Sequence, residues 1–288
     1  MLKLQTPVEF APAQATITYD DHIMLLGSCF ADNVAQKFQA AAFDVCANPF
    51  GTLYNPVSLV NAVARMDSAV PFTERECVEM GAGAGLICSF SHHTLMARST
   101  KEEFLDNANK SLEEASAFWE KANKVIITLG TSFYYRHNET GEVVANCLKR
   151  PAAEFTRERL DASTTAILLA RMVKMHPEKD FFFTVSPIRH MSDGAHQNAL
   201  SKSSLLLAVD TLGDVVNYFP SYEIMMDELR DYRFYTEDMA HPTGQAISYI
   251  WERFCDFCMS QDTQKQMHER EKEFRRSQHR PLLSKSTL

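Results

Sequence analysis

No stretch of this 288-residue chain approaches the eighteen or more consecutive apolar residues of a membrane-spanning helix. Met1 to Phe10 also lacks the basic start and apolar run of a signal peptide, so a cytoplasmic protein with no membrane partner is expected. Positive charge is scarce: 29 Lys and Arg stand against 37 Asp and Glu, a net charge of -8. That balance excludes a nucleic-acid partner, because phosphate binding needs clustered Lys and Arg on one face. Cysteines number seven, an odd count at irregular spacing, and read as reduced thiols rather than a disulfide framework. Metal-site patterns are missing too. His92 and His93 are adjacent, so in a strand they would face opposite ways, and no Cys or acid at ligand spacing completes a zinc site. Cys255 and Cys258 have metal or redox spacing but no second pair, and packing is the better reading. Gly81 to Gly85 lacks the Lys-Ser/Thr that would make it a phosphate loop. Neither a metal nor a cofactor is expected.

What is present is a chain that is 45% hydrophobic and long enough to bury a large core. Strands are expected at Ile23 to Gly27, Phe43 to Ala47, Lys124 to Leu129, Phe181 to Val185 and Phe219 to Met226. Between them, helical periodicity runs over Phe30 to Phe43, from Pro56, and over Lys101 to Asn123, Ala162 to His176 and Leu200 to Tyr218. The alternation predicts an α/β fold: a three-layer α/β/α sandwich around a central, mostly parallel five-stranded sheet. Cys88 to Met96 and Phe133 to Val144 interrupt the alternation, the latter with a hairpin turn at Asn138 to Gly141, and they read as insertions walling a site. One domain is expected over residues 1–260. The charged stretch 261–288 reads as a solvated C-terminal helix or tail, whose removal after Ser260 should leave the fold intact.

Chemistry concentrates where Leu25-Leu26-Gly27 runs into Ser28 and the start of a helix. A hydroxyl there projects from the carboxyl edge of a sheet beside the first helical N–H groups. Asp238-Met239-Ala240-His241-Pro242 offers it partners: His241 to accept the proton and Asp238, three residues earlier, to fix the imidazole tautomer. Pro242 is expected to open a helix running through Phe254. Ser28 alone could equally be a helix N-cap. Cys29 is the rival nucleophile, since a thiolate at a helix N-terminus reacts readily, but only one of two neighbours at such a bend can face His241.

The string Gly27-Ser28-Cys29-Phe30-Ala31 resembles the signature of the GSCFA domain family, a branch of the SGNH (GDSL-like) hydrolases. The resemblance extends, in order, through Asn48 to Pro56, Thr128 to Ser132, Val144 to Cys147, Ser186 to His190 and Asp238 to Pro242, about residues 20 to 260. It implies an SGNH-like, flavodoxin-like sandwich and a serine esterase with Ser28, Asp238 and His241 as its triad. It also implies an oxyanion hole built from the Ser28 and Gly51 N–H groups and a donor in the third block. There an asparagine is expected, and this chain has Gly130-Thr131-Ser132 instead, so Thr131 or Ser132 would have to substitute. An unreplaced donor would cost about 3 kcal/mol of transition-state stabilisation.

Candidate substrate contacts are His92, His93, Asn146, Arg189 and His190, although Arg189 could instead pair with Asp193. The expected partner is a small-molecule or carbohydrate ester, an O-acetylated sugar for example. Whether the acyl group passes to water or to an acceptor hydroxyl is not written in the sequence, so an O-acyltransferase is the first alternative. A degenerate fold that binds a glycan or protein is the second, and oligomeric state is left open.

Overall fold

The apolar run after His22 forms β1 (His22–Gly27), sealed from solvent beyond its first residue. The structure, a computed structural model, describes residues 5–278. Ser28 caps α1 (Cys29–Ala40), whose inward stripe is Phe30, Ala31, Val34, Ala35 and Phe38. The chain returns as β2 (Asp44–Ala47), parallel to β1. Asn55 then caps α2 (Pro56–Ser68), accepting the Ser58 N–H at 2.9 Å, with Pro56 in the first turn where its missing N–H costs nothing. Two short antiparallel strands, β3 (Val78–Glu79) and β4 (Ile87–Cys88), are joined through the Gly81 to Gly85 turn.

Helix α3 (Lys101–Lys121) leads into the fully buried β5 (Lys124–Leu129). A small antiparallel sheet follows, with β6 (Phe133–His137) paired to β7 (Val143–Val144) and to β8 (Phe155–Arg159). The turn at Asn138 to Gly141 lies where it was expected, with the Gly141 N–H on the His137 carbonyl. Then come α4 (Ala162–Met175), β9 (Asp180–Val185), α5 (Gly194–Leu212), β10 (Asn217–Phe219), the single turn α6 (Ser221–Glu223), α7 (Gly244–Cys258) and α8 (Gln261–Gln278).

The central sheet runs β10-β9-β5-β1-β2, all parallel. Strands covered on both faces read as continuous apolar runs, and side-chain alternation splits each between two cores. Met24, Leu26, Val125, Ile127, Phe181 and Phe183 pack under α2, α3, α4 and α5. Ile23, Leu25, Ile126, Phe182 and Phe219 pack under α1, α7 and α8. The result is the expected three-layer α/β/α sandwich.

Several boundaries differ from the sequence reading. The helix expected over Leu200 to Tyr218 starts at Gly194 and stops at Leu212, because Gly213 (φ +57°) turns the chain. The fifth strand is Asn217–Phe219 rather than Phe219 to Met226. After Pro220 the chain coils into α6 and a π turn (Ile224–Glu228) that buries Ile224 and Met225. Pro242 does not open α7: Thr243 is its N-cap, accepting the Ala246 N–H at 3.3 Å. His92 and His93 sit in a turn and not a strand.

The stretch from Gln261 is helical, but its first turns dock on the body rather than lying in solvent. Met267 is 3% exposed and meets Cys255 Sγ, and the Arg270 guanidinium stacks over the Tyr19 ring at 3.8 Å. Residues 279–288 lie outside the described part. All seven cysteines are unpaired, and no helix among the described residues is long and apolar enough to cross a membrane.

Candidate active site

Order in the sheet decides where a ligand can sit. From β1 the chain moves outward to β2, while β5, β9 and β10 lie on the other side. A crevice is therefore expected at the carboxyl ends of β1 and β5, the switch point where α/β sheets of this kind bind ligands. Ser28 leaves one lip and Gly130-Thr131-Ser132 the other. Gly27 is required between them: its φ is +145°, and a Cβ there would fall 2.3 Å from the Thr128 carbonyl oxygen.

Ser28 is 1% exposed, and its hydroxyl oxygen accepts the Phe30 N–H over a long 3.4 Å. Its own N–H continues the ladder onto the Thr128 carbonyl at 3.2 Å. Cys29, beside it, is half-buried. Burial, with the Asp32 carboxylate adding to it, raises the Cys29 thiol above its ordinary range, so the reactive thiolate is disfavoured. Asn48 anchors this lip from β2: its Oδ1 accepts the Gly27 N–H at 2.8 Å and its Nδ2 donates to Asp32 at 2.6 Å. The Gly51 N–H closes a turn on the Asn48 carbonyl at 2.8 Å. Thus both backbone donors expected of an oxyanion hole, at Ser28 and Gly51, already donate within the protein.

Asp238 and His241 form the pair that their spacing implied. Asp238 Oδ2 lies 2.5 Å from His241 Nδ1, while Oδ1 accepts the N–H groups of Ala240 and His241 and the Thr236 hydroxyl. Those donors, led by the His241 and Ala240 N–H groups, hold the Asp238 carboxyl far below the usual carboxylate range. Both side chains are about half exposed. The loop is tied to the end of β9 by the Arg189 N–H on the Ala240 carbonyl at 3.2 Å. Next along stands His190, whose ring lies 6.3 Å from that of Tyr54 and whose ionisation feels the charge of His241. Tyr54 in turn carries the β5 lip on its carbonyl, which accepts both the Gly130 and Thr131 N–H groups at 2.9 Å. The His241 loop is thus joined, through Arg189 and the His190–Tyr54 ring contact, to the β5 lip. Among the described residues, no hydrogen bond joins Ser28 Oγ to His241.

The sequence reading missed the support beneath the lips. One face of α5 turns Asn198, Ser201 and Lys202 inward, all buried. Asn198 Oδ1 accepts the His190 N–H at 2.9 Å. Lys202 Nζ donates to the carbonyls of Gly130 (2.7 Å) and Ser186 (2.8 Å), bridging the ends of β5 and β9. Ser201 Oγ meets the Thr131 hydroxyl and both the N–H and the hydroxyl of Ser132. Ser132 is fully buried, whereas Thr131 is partly open.

The remaining candidates separate. His92 is 0% exposed among Phe50, Phe72 and Phe104, with Ser89 Oγ 2.7 Å from Nδ1, so it faces core rather than substrate. His93 is partly open and packs against Gly51, where an added Cβ would come 2.4 Å from its own. Asn146 turns its Oδ1 onto the Leu148 N–H at 2.8 Å. Arg189 does not pair with Asp193, because both Asp193 oxygens take Arg157 at 2.5 Å. Burial, with the Lys202 charge second, lowers the His190 imidazole to about 4, so it is neutral at pH 7. A hollow of about 1400 Å³ is lined by Phe50, Arg65, Phe72, Phe90 and His137, and none of Ser28, Asp238 or His241 borders it. Among the described residues, no three His, Cys, Asp or Glu side chains gather where they could hold a metal ion.

No curated protein matches the chain by sequence. Among solved structures it is similar to the psychrotrophic esterase EstA from Pseudoalteromonas sp., in a structure inhibited by monoethylphosphonate. Identity there is 13% and the TM-score 0.38, covering 83% of this chain and 96% of that one. A second likeness is to a carbohydrate esterase family 2 enzyme with a carbohydrate binding domain from Corynascus thermopiles (Myceliophthora fergusii), at 12% identity and a TM-score of 0.39. It covers 86% of this chain and 67% of that one. The GSCFA family model matches residues 22–254, which takes in the strand-to-helix junction at Ser28, both lips of the crevice and the Asp238/His241 loop, and the chain belongs to the GSCFA family.

Proposed function

We propose that the protein is a serine esterase of the SGNH type, with Ser28 as nucleophile, His241 as general base and Asp238 as its orienting acid. The observation that carries this reading is the Asp238–His241 contact at 2.5 Å on a loop tied to the edge where Ser28 ends β1. A carboxylate accepting from Nδ1 leaves Nε2 as the basic nitrogen, the tautomer that can remove a hydroxyl proton.

In the first step the Ser28 proton moves to His241 Nε2 as Oγ bonds to the acyl carbon. The tetrahedral intermediate then collapses, and the leaving alkoxide takes that proton from His241. In the second step water, deprotonated by His241, attacks the acyl-enzyme and restores Ser28. A carbohydrate hydroxyl in place of water would give an O-acyltransferase by the same steps. The expected substrate is a small ester, with O-acetylated carbohydrate as the class to test first.

A fluorophosphonate probe together with p-nitrophenyl acetate tests the reading. Wild-type protein should label and turn over, and Ser28→Ala and His241→Ala should do neither. Absence of labelling and turnover in the wild type would leave a fold that binds without reacting. Labelling that persists in Ser28→Ala and is lost in Cys29→Ala would move the nucleophile to Cys29.

A further inference from the structure

The hollow of about 1400 Å³ has no role in the esterase reading, and neither Ser28 nor His241 borders it. It opens between α2, the β3 strand with the Ser89 to Ser91 turn, and the β6–β7 hairpin. These walls are tied to one another. The Gly81 N–H donates to the Leu148 carbonyl at 2.9 Å, the Ala145 N–H to the Phe90 carbonyl at 2.7 Å, and the Arg150 guanidinium to the Glu79 carbonyl at 2.9 Å. At Gly81 the approach is so close that a Cβ would fall 2.1 Å from the Lys149 carbonyl oxygen. The hollow is therefore preformed, and it exceeds the roughly 300–1,000 Å³ that encloses a drug-sized ligand.

Its lining states what it can hold. Phe50, Phe72 and the partly open Phe90 supply apolar surface. The charges around them largely cancel: Arg65 pairs with Glu76, and Arg150 with Glu154 at 2.6 Å. What is left over is Arg75 against Glu79, Glu139 and Glu142, a balance that disfavours an anion. Ser58 also lines the hollow and is 5% exposed, and its Oγ has no hydrogen-bond partner among the described residues. Behind the rings of Phe50 and Phe72, His92 Nε2 is likewise unpartnered. A buried hydroxyl without a partner weakens a fold, so its place on this wall is accounted for by a ligand that pairs with it. One side-chain torsion turns Oγ toward the space. A group that both donates and accepts, set among aromatic rings and without net positive charge, suits a sugar, whose ring presents apolar C–H faces and a rim of hydroxyls. We infer that this hollow is a binding site for an uncharged oligosaccharide of about two to three rings, separate from the Ser28 edge. It stands whether or not Ser28 is a nucleophile.

The test titrates the full-length protein with cellotriose, xylotriose, maltotriose and chitotriose, followed by calorimetry and ligand-observed NMR. At least one should bind with a Kd below about 1 mM. Ser58→Ala should weaken that binding about tenfold while leaving the thermal midpoint at or above that of wild type, because the hydroxyl removed has no partner in the protein. Phe90→Ala should weaken it by about the same factor through loss of the ring face, and if that variant folds poorly Ser58→Ala carries the test. Trigalacturonic acid, similar in size but anionic, should bind at least about tenfold more weakly than the best neutral sugar. Ser28→Ala should bind as wild type does, since Ser28 does not border the hollow. No binding by any of these neutral sugars, binding by Ser58→Ala within about threefold of wild type, or a Ser58→Ala midpoint well below wild type would each overturn the inference. So would tighter binding of trigalacturonic acid, or loss of binding in Ser28→Ala. None of these readouts uses ester turnover, so failure of the esterase reading and failure of this one are seen separately.

Discussion

The Lys202 ammonium, 1% exposed, donates to the Gly130 carbonyl at 2.7 Å and, among the described residues, has no carboxylate partner. Its second bond, to the Ser186 carbonyl, makes it a clamp between the ends of β5 and β9. Lys202→Met keeps the length and removes the clamp, leaving two buried carbonyls without donors. A loss of about 2–4 kcal/mol in stability is expected from urea unfolding. Burial lowers the Lys202 amine to about 7 from its ordinary 10.5, so between those values the unfolded chain binds a proton that the folded one does not. Wild-type stability should therefore rise from pH 7 to 8.5 relative to Lys202→Met. Above pH 9 the opposite slope enters, because burial holds the Cys46, Cys88 and Cys147 thiols up at about 11 and keeps them protonated in the folded state.

His92 sets an acid limb. Desolvation first, and the Arg65 charge second, lower its imidazole from 6.5 to about 3. The folded protein thus holds this ring neutral while the unfolded chain protonates it. Its contribution is complete above pH 6.5 and is lost as pH falls toward 3, amounting to as much as about 5 kcal/mol. His92→Gln should flatten the fall in unfolding free energy between pH 6.5 and 4, measured by urea titration, by close to one proton. An unchanged slope would mean that the ring is already charged in the native state.

Much of this was legible in the sequence, and what was not shares a cause. The β1–Ser28–α1 junction and the Asp238/His241 pair are local patterns, set by a period change or a three-residue spacing, and need no distant chain to be read. Ser201 and Lys202 carry no such signal. On an amphipathic helix they read as solvent-facing positions, and they turn inward only because Gly130, Ser132 and Ser186 bring backbone groups that need partners there. Asn48 was visible only as a turn residue. The displaced fifth strand has the same origin: Tyr218 to Met226 is apolar enough for either state, and Ser221, whose hydroxyl donates to the Val185 carbonyl at 2.8 Å, favours the coil.

Asn48 couples the end of β1 and the first turns of α1 to β2 through one amide, from a backbone held at φ +41°. Asn48→Ala removes the acceptor for the Gly27 N–H and the donor to Asp32, and places an alanine in left-handed backbone. A cost of about 2–3 kcal/mol is expected. Asn48→Gly relieves the backbone while still losing the bonds, so it should recover about 1 kcal/mol of that in thermal unfolding. Turnover should fall in both, because Gly27 leads directly into Ser28.

Removing the chain after Ser260 should destabilise the body rather than leave it untouched. Met267 covers Cys255, and Arg270 covers Tyr19 and donates to the Ala42 carbonyl at 3.3 Å. Losing one buried methionine and the stacked guanidinium is expected to cost about 2–4 kcal/mol. A thermal midpoint in the truncated protein equal to that of the full chain would show that α8 contributes nothing to the fold.

Asp238→Asn separates geometry from charge at the dyad. The carboxylate accepts from Thr236, Ala240 and both the N–H and the ring of His241. An amide of the same shape can keep its carbonyl on the backbone donors, but it then turns NH2 toward Nδ1. The imidazole must respond by protonating Nε2, the wrong tautomer for a general base. Turnover should fall about a thousandfold or more, with KM little changed. The pair is half exposed, so the thermal midpoint should move only slightly. The stability that the Asp238 charge contributes is present above the ordinary carboxylate value and is lost only as pH falls through its depressed one, so the small difference between the two proteins should hold constant from pH 6 to 8 and shrink only in acid. A variant that keeps full turnover would show that Asp238 orders the loop and takes no part in setting the tautomer of His241.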